Sequence, residues 1–391
     1  MITRFPRALL FVALGHLTLE LCSNFMPVLY PTLIPAMGLS FTQVGTIALV
    51  AGTTTSLTQP FFGMASDRWG ADKVSALAIS WTALAMGLIG FAGNYNMLLI
   101  LVALGGLGSA AFHPPGAVVA AANSGSKRGT GVSIFSVGGN LGSALSPLWV
   151  GTAVLLFGMG GTITILPLAL VVSLALLWQL RQARKTAPPG ASRERREEGS
   201  GFTAGMIFIV LAVMCRSWFQ VSLTTYLPIW IAESGGTALG GGRMLAVMLF
   251  SIGIGSLVGG ALGDRIGNWQ VVMTSLFLLS PVYFLFLNGA PAVQNVAIFG
   301  IGVLIGSTFP VTIVMAIDAW PGRVGLASGM VMGLGWWPGG LGASFTGMLA
   351  DQYSLLSSMQ TLLFVPLLGA TFVLVYALLL RGRQPILAPR V

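Results

Sequence analysis

Charge is what this chain has least of: 7% of its 391 residues are Asp, Glu, Lys or Arg, against roughly a quarter in a soluble globular protein. Water is thereby excluded as the solvent for most of its surface. Cysteine is nearly absent too. Cys22 and Cys215 both lie in apolar stretches, so no disulfide framework or metal-ligand spacing is implied. Only 10 acidic residues and 2 histidines are available for acid-base or ligand chemistry. The sequence has no Gly-x-x-x-x-Gly-Lys-Ser/Thr phosphate loop, no dinucleotide fingerprint and no His-Glu-x-x-His zinc motif. An ATP-driven pump or a membrane enzyme would need such chemistry, so no cofactor and no metal are expected.

What is present is apolar and helical in length. Residues 74–126, 129–180 and 266–317 carry no charge at all, and at about 20 residues per crossing each stretch makes two spans and a turn. The turns are legible as Gly93-Asn94-Tyr95-Asn96, Gly158-Met159-Gly160-Gly161 and Asn288-Gly289-Ala290-Pro291. A lipid-exposed backbone must satisfy its own hydrogen bonds, and the alternation of a barrel strand is missing, so the spans are helices. The chain reads as an all-α membrane protein with transmembrane helices near 8–36, 41–66, 73–93, 96–123, 129–157, 161–181, 203–233, 243–263, 270–288, 292–317, 324–350 and 353–380. On that map all but two of the 19 basic residues fall on one side; Arg243 lies on the other and Arg216 within a span. The asymmetry predicts cytoplasmic N- and C-termini. The net charge of +9 then reflects topology and anionic lipid, and no nucleic acid is expected as a partner. The first hydrophobic run is too long for a cleavable signal and is expected to stay as an anchor.

The map folds onto itself. Gly63-x-x-x-Asp67-Arg68-x-Gly70 follows the second span, and Gly260-x-x-x-Asp264-Arg265-x-Gly267 follows the eighth. Tyr30-Pro31 near the end of the first span is echoed by Tyr226-Leu227-Pro228 in the seventh, and Gly108-Ser109 with Phe112 and Pro114 by Gly306-Ser307 with Phe309 and Pro310. Between the copies lies the one long polar run, rich in Pro, Gly and mixed charge, which reads as a solvated linker. The expected organisation is an N-terminal six-helix bundle over 1–182, a cytoplasmic linker over 183–202 and a C-terminal six-helix bundle over 203–391. Two pseudo-symmetric bundles about a membrane-normal axis place a substrate site at their interface.

The Asp-Arg-x-Gly loops, the duplication and the twelve spans resemble the major facilitator superfamily over essentially the whole chain. His16-Leu17, the run Ser40 to Gly45, the run Gly108 to Pro114 and the run Ser133 to Gly142 resemble the fosmidomycin-resistance branch of bacterial drug efflux proteins. Where that branch carries His-Pro-Glu, this chain has His113-Pro114-Pro115, so an acidic group of the fourth span is missing. The resemblance implies a monomeric transporter in the bacterial inner membrane, acting on a small molecule and exchanging it for protons. An uncoupled or differently coupled transporter of a metabolite or lipid-like amphiphile, a membrane enzyme using Glu20 and His16 as an acid-base pair, and a sensor on the same scaffold are the competing readings.

Within the spans the ionisable residues are His16, Glu20, His113 and Arg216. A charge there costs roughly 2.5–3.5 kcal/mol on insertion scales, so each is a functional candidate. His16 sits one turn before Glu20, and these two with His113 are the expected proton-coupling groups. His113 reads equally well as a structural histidine, bonded to carbonyls freed by Pro114 and Pro115. Glu20 and Arg216 are separated by nearly the repeat offset, which predicts that they face one another: Arg216 stabilises ionised Glu20, and an anion taking over Arg216 leaves Glu20 to accept a proton. A static ion pair clamping the bundles is the simpler alternative. Asn24, Tyr30, Asn140, Gln220, Tyr226, Trp336 and Trp337 join Arg216 as candidate substrate contacts. A packing role competes for the tryptophans, and a helix-helix hydrogen bond for Asn140. One Glu against one Arg suits a neutral or anionic amphiphile better than a cation. Gly63, Asp67, Arg68 and Gly70, with Gly260, Asp264, Arg265 and Gly267, are expected to form cytoplasmic gating loops rather than a substrate site, with plain topogenic charge as the alternative.

Overall fold

The structure is a computed structural model that describes residues 7–123, 128–186, 204–320, 327 and 330–381. Among the described residues, 10 helices are long and apolar enough to cross a membrane. The remaining two expected crossings, the second and the eleventh, are interrupted. The second is α3 (Phe41–Leu57) followed by α4 (Gln59–Trp69), with the break at Thr58, where Pro60 falls in the first turn of α4 and leaves no N–H to continue the ladder. Among the described residues the eleventh has a π-helical turn over Met330–Leu334 and continues as an α-helix over Gly335–Gln352. The expected linker lies almost wholly outside the described residues.

The first crossing is also divided, into α1 (Arg7–Ser23) and α2 (Met26–Met37), around Asn24 and Phe25. Pro27 in the first turn of α2 forces that break one turn after Glu20. The fourth crossing behaves differently: α6 (Tyr95–Ala122) runs unbroken through Pro114 and Pro115. The other crossings of the first half are α5 (Ala71–Gly87), α7 (Arg128–Phe157) and α8 (Ile165–Thr186). The second half follows with α9 (Ala204–Glu233), α10 (Ala238–Ile266), α11 (Asn268–Asn288), α12 (Pro291–Ala319), α13 (Gly335–Gln352), and α14 (Leu355–Thr361) leading into α15 (Phe364–Arg381).

The duplication read from the sequence recurs in packing. In the first half α1 lies along α7, and in the second α9 lies along α13. Between halves the pairing is reciprocal, α3 against α13 and α10 against α7. Both Asp-Arg-x-Gly loops turn on a glycine at the helix C-cap with nearly the same backbone, Gly70 at φ 95° and ψ 130° and Gly267 at φ 100° and ψ 145°. These are left-handed values that a side chain would resist.

The seam between α3 and α13 is backbone-close. A Cβ on Gly45 would meet the Ser344 backbone at 2.5 Å, and one on Gly347 would meet the Phe41 carbonyl oxygen at 2.3 Å. The Tyr226 hydroxyl donates to the carbonyls of both Phe41 and Ala343, 2.9 Å from each. These contacts cluster at the face carrying the 38–40 and 353–354 turns. On the other face α4 packs on α5 and α6 of its own half, and Asp67, Arg68, Asp264 and Arg265 stand exposed.

Candidate functional site

The site is assembled on α1 and completed by α6 and α7. Gly138 and Gly142 let α7 approach the Ala13 and Leu17 carbonyls of α1, which lays Phe135, Gly139 and Ser143, spaced four apart, against His16, Glu20 and Asn24, also spaced four apart. The His16 ring stacks on Phe135, centroids 4.0 Å apart and planes inclined by 20°. It fits only because residue 139 lacks a side chain: a Cβ there would lie 2.4 Å from His16 Cε1.

Glu20 lies between two histidines. His113 Nε2 is 3.1 Å from Glu20 Oε1, and His16 Nε2 is 3.6 Å from the same oxygen. The second carboxylate oxygen accepts from Asn24 Nδ2 at 2.5 Å and from the Ser143 hydroxyl at 3.3 Å. The far nitrogen of each ring is also committed, His16 Nδ1 to the Phe135 carbonyl at 2.8 Å and His113 Nδ1 to the Ser109 carbonyl at 2.7 Å. A carbonyl only accepts, so each Nδ1 carries hydrogen. Both Nε2 atoms therefore turn toward one carboxylate oxygen. Three acceptor atoms in so small a space repel, and a proton or a metal ion among them would relieve the repulsion. His113 does not use a carbonyl freed by the two prolines; its partner, Ser109, is the ordinary helical acceptor one turn earlier.

The ion pair expected between Glu20 and Arg216 is not formed. Glu20 is turned into its own half, where His113 is close, and Arg216 donates instead to Gln220 Oε1 at 2.9 Å, one turn along α9. The guanidinium carbon lies 5.9 Å from the centre of the Phe309 ring of α12, within cation–π range. Arg216 is buried at 2% exposure, so its charge has been taken from water into the second half.

The other expected contacts divide. Asn140 is partly exposed and faces Gly253 of the opposite half, where a Cβ would lie 3.3 Å away. Trp337 donates its Nε1–H to the Thr53 hydroxyl of the opposite half at 3.0 Å. Tyr226 does not line a site: it is fully buried and its hydroxyl is spent on the seam between α3 and α13. Tyr30 is likewise enclosed at 2% exposure. The Trp336 side chain lies outside the described residues. Sequence reasoning missed Phe135, Ser143 and Phe309. The four-residue spacing of Phe135, Gly139 and Ser143 was the available signal for the first two. Cys22 and Cys215 are buried and unbonded to each other.

A sequence model described as Major Facilitator Superfamily matches residues 12–343. The fosmidomycin resistance protein of Escherichia coli (strain K12) is 28% identical over 364 residues, which cover 92% of this chain and 90% of that protein. An uncharacterized MFS-type transporter of Bacillus subtilis (strain 168), YfnC, is 29% identical over 381 residues with the same coverage of 92% and 90%. In fold, a crystal structure of a bacterial homolog of the human lysosomal transporter Spinster, inward-facing and occupied, superposes with a TM-score of 0.79 at 16% identity, covering 97% of this chain and 98% of that one. The resemblance read from the Asp-Arg-x-Gly loops thus extends along the chain, which belongs to the Major Facilitator Superfamily and is a multi-pass membrane transporter rather than an enzyme.

Proposed function

We propose that the protein is a secondary active transporter that exports a small anionic or amphiphilic compound in exchange for protons, by alternating access between its two halves. The observation that carries this reading is the His16–Glu20–His113 cluster, whose two Nδ1–H groups are tied to carbonyls and whose two Nε2 atoms share one carboxylate oxygen. Such a cluster gains and loses protons at a fixed place, which is what coupling to a proton gradient requires. Substrate is assigned to the opposite wall, where buried Arg216 with Gln220 and the Phe309 face offers a cation, a polar neighbour and an apolar plate. Asn140 and Trp337 stand at the boundary between halves, where a bound molecule is handed from one side to the other. The name of the Escherichia coli relative, a fosmidomycin resistance protein, supports a role in drug resistance.

In this reading the protein acts as a monomer in the bacterial inner membrane, with both termini, the linker and the two Asp-Arg-x-Gly loops in the cytoplasm, as the basic asymmetry requires. The halves do not need a direct Glu20–Arg216 bond. Protons bind in the first half and the anion in the second, and both must be accommodated before the bundles rock.

The test uses proteoliposomes with an imposed pH gradient and a panel of anionic and neutral compounds. Wild-type protein is expected to accumulate an anion against its gradient. Glu20→Gln is expected to abolish uphill accumulation while retaining substrate exchange, because exchange moves no net proton. Uphill transport by Glu20→Gln at the wild-type rate rejects the proton-carrier role.

A further inference from the structure

The first turn of α3 has an unusual supply of hydrogen-bond acceptors. An α-helix leaves its first four N–H groups without intrahelical partners. Here two of the four are satisfied locally by a capping box, with Ser40 N donating to Gln43 Oε1 at 2.9 Å and Gln43 N to Ser40 Oγ at 3.1 Å. The other two, Phe41 N and Thr42 N, donate to the two carboxylate oxygens of Asp351, each at 2.8 Å, and the Thr42 hydroxyl adds a third bond at 2.6 Å. Asp351 lies in the last turn of α13, in the other half and 310 positions away. Half of this cap is therefore borrowed across the seam.

We propose that Asp351 is a cross-bundle latch: it holds the two halves shut at the face bearing the 38–40 and 353–354 turns, and it must release the α3 N-terminus each time the transporter opens there. This inference rests on the alternating-access reading given above. Three further observations support it. The carboxylate meets the positive end of the α3 dipole, the favourable place for an anion. Partial burial, which raises the Asp351 carboxyl, is outweighed by the hydrogen bonds from Thr42 and Phe41, which hold it below the usual carboxylate range and keep it charged at neutral pH. The other seam has no counterpart: α10 is capped within its own half by Thr237, whose hydroxyl accepts from Gly240 N at 3.0 Å, and among the described residues no hydrogen bond crosses between α7 and α10. One seam is thus latched by a carboxylate, and the other has no such bond among the described residues.

The latch sits at the opposite end of the α3–α13 pair from Asp67, which is exposed in this structure. The engaged carboxylate marks the closed face.

The test places spin labels at Ala36 and Gln360, exposed positions in opposite halves near the latched face, and reads the distance distribution in detergent and in nanodiscs. Wild-type protein is expected to give mainly the short distance. Asp351→Ala is expected to raise the ratio of long to short distances roughly two- to thirtyfold, the range expected for loss of a helix cap, with Asp351→Asn in between. A folded Asp351→Ala protein with an unchanged distribution overturns the latch. Should that variant fail to fold, Thr42→Val removes only the hydroxyl bond and is read with the same labels: a smaller shift the same way supports the latch, and no shift overturns it. The measurement needs neither substrate nor pH gradient. A distance shift in a protein that moves no anion therefore retains the latch and rejects the proposed transport function.

Discussion

At the scale of single residues, an ionisable group within the membrane and a glycine without apparent duty turn out to serve one site. His16, Glu20 and His113 could be picked from the sequence because burying such groups in lipid is costly and is tolerated only where something is gained. Their meeting could not be picked, since His113 comes from α6 and no local pattern relates it to Glu20. Gly139 makes the arrangement possible by leaving room for the His16 ring, and that gives it a testable consequence. Gly139→Ala places a methyl group 2.4 Å from His16 Cε1, too close to tolerate, and the ring must leave the Phe135 face or α7 must move away from α1. The expected outcome is a destabilisation of about 1–3 kcal/mol, the usual cost of overpacking, read as a lowered melting temperature. Uphill transport should be lost with it, because His16 Nε2 no longer points at Glu20. A Gly139→Ala protein with wild-type stability and transport would mean that the His16 position is loose and unimportant.

At the scale of elements, the helices were legible because long charge-free runs leave the chain no other solvent and no other backbone solution. Their interruptions were not. Pro27 and Pro60 mark real breaks, yet Pro114, Pro115, Pro147, Pro228, Pro281 and Pro310 all lie within continuous helices. Proline alone therefore does not announce a break; neighbouring helices decide whether the freed carbonyl is tolerated. The first crossing breaks just after Glu20, which sets Asn24 beside its carboxylate at the edge of a gap. The pairing of α3 with α13 was equally hidden, since it joins segments from opposite halves, although glycines at 45, 340 and 347 permit it. The linker offers a prediction at this scale. Cysteines placed singly between residues 187 and 200, in a protein whose own Cys22 and Cys215 are buried, are expected to react with an impermeant thiol reagent in inside-out vesicles and to be silent in intact cells. Labelling in intact cells would reverse the proposed orientation.

At the scale of the whole molecule, the two halves share a fold and, in the proposed mechanism, divide the chemistry. The duplication places Glu20 and Arg216 at nearly equivalent positions, and that equivalence suggested a bond between them. Each instead finds partners at home: Glu20 bonds to His113 of α6 and Ser143 of α7, and Arg216 to Gln220 of its own helix. Pseudo-symmetry fixes which helix and which level a residue occupies, but not where a long side chain turns, because that depends on unduplicated neighbours such as His113. The distinction can be measured with a double-mutant cycle. If Glu20 and Arg216 clamped the bundles, each single change to Gln would strand a buried charge, and the double change would recover most of the lost stability. With separate partners the two perturbations share no contact, so their effects on unfolding should add to within about 0.5 kcal/mol. Transport should divide in the same way. Glu20→Gln is expected to lose gradient-driven accumulation, Arg216→Gln to weaken anion binding, and Glu20→Gln/Arg216→Gln to show both defects without rescue. Recovery of stability together with uphill transport in the double variant would restore the clamp and remove the division of labour between the halves.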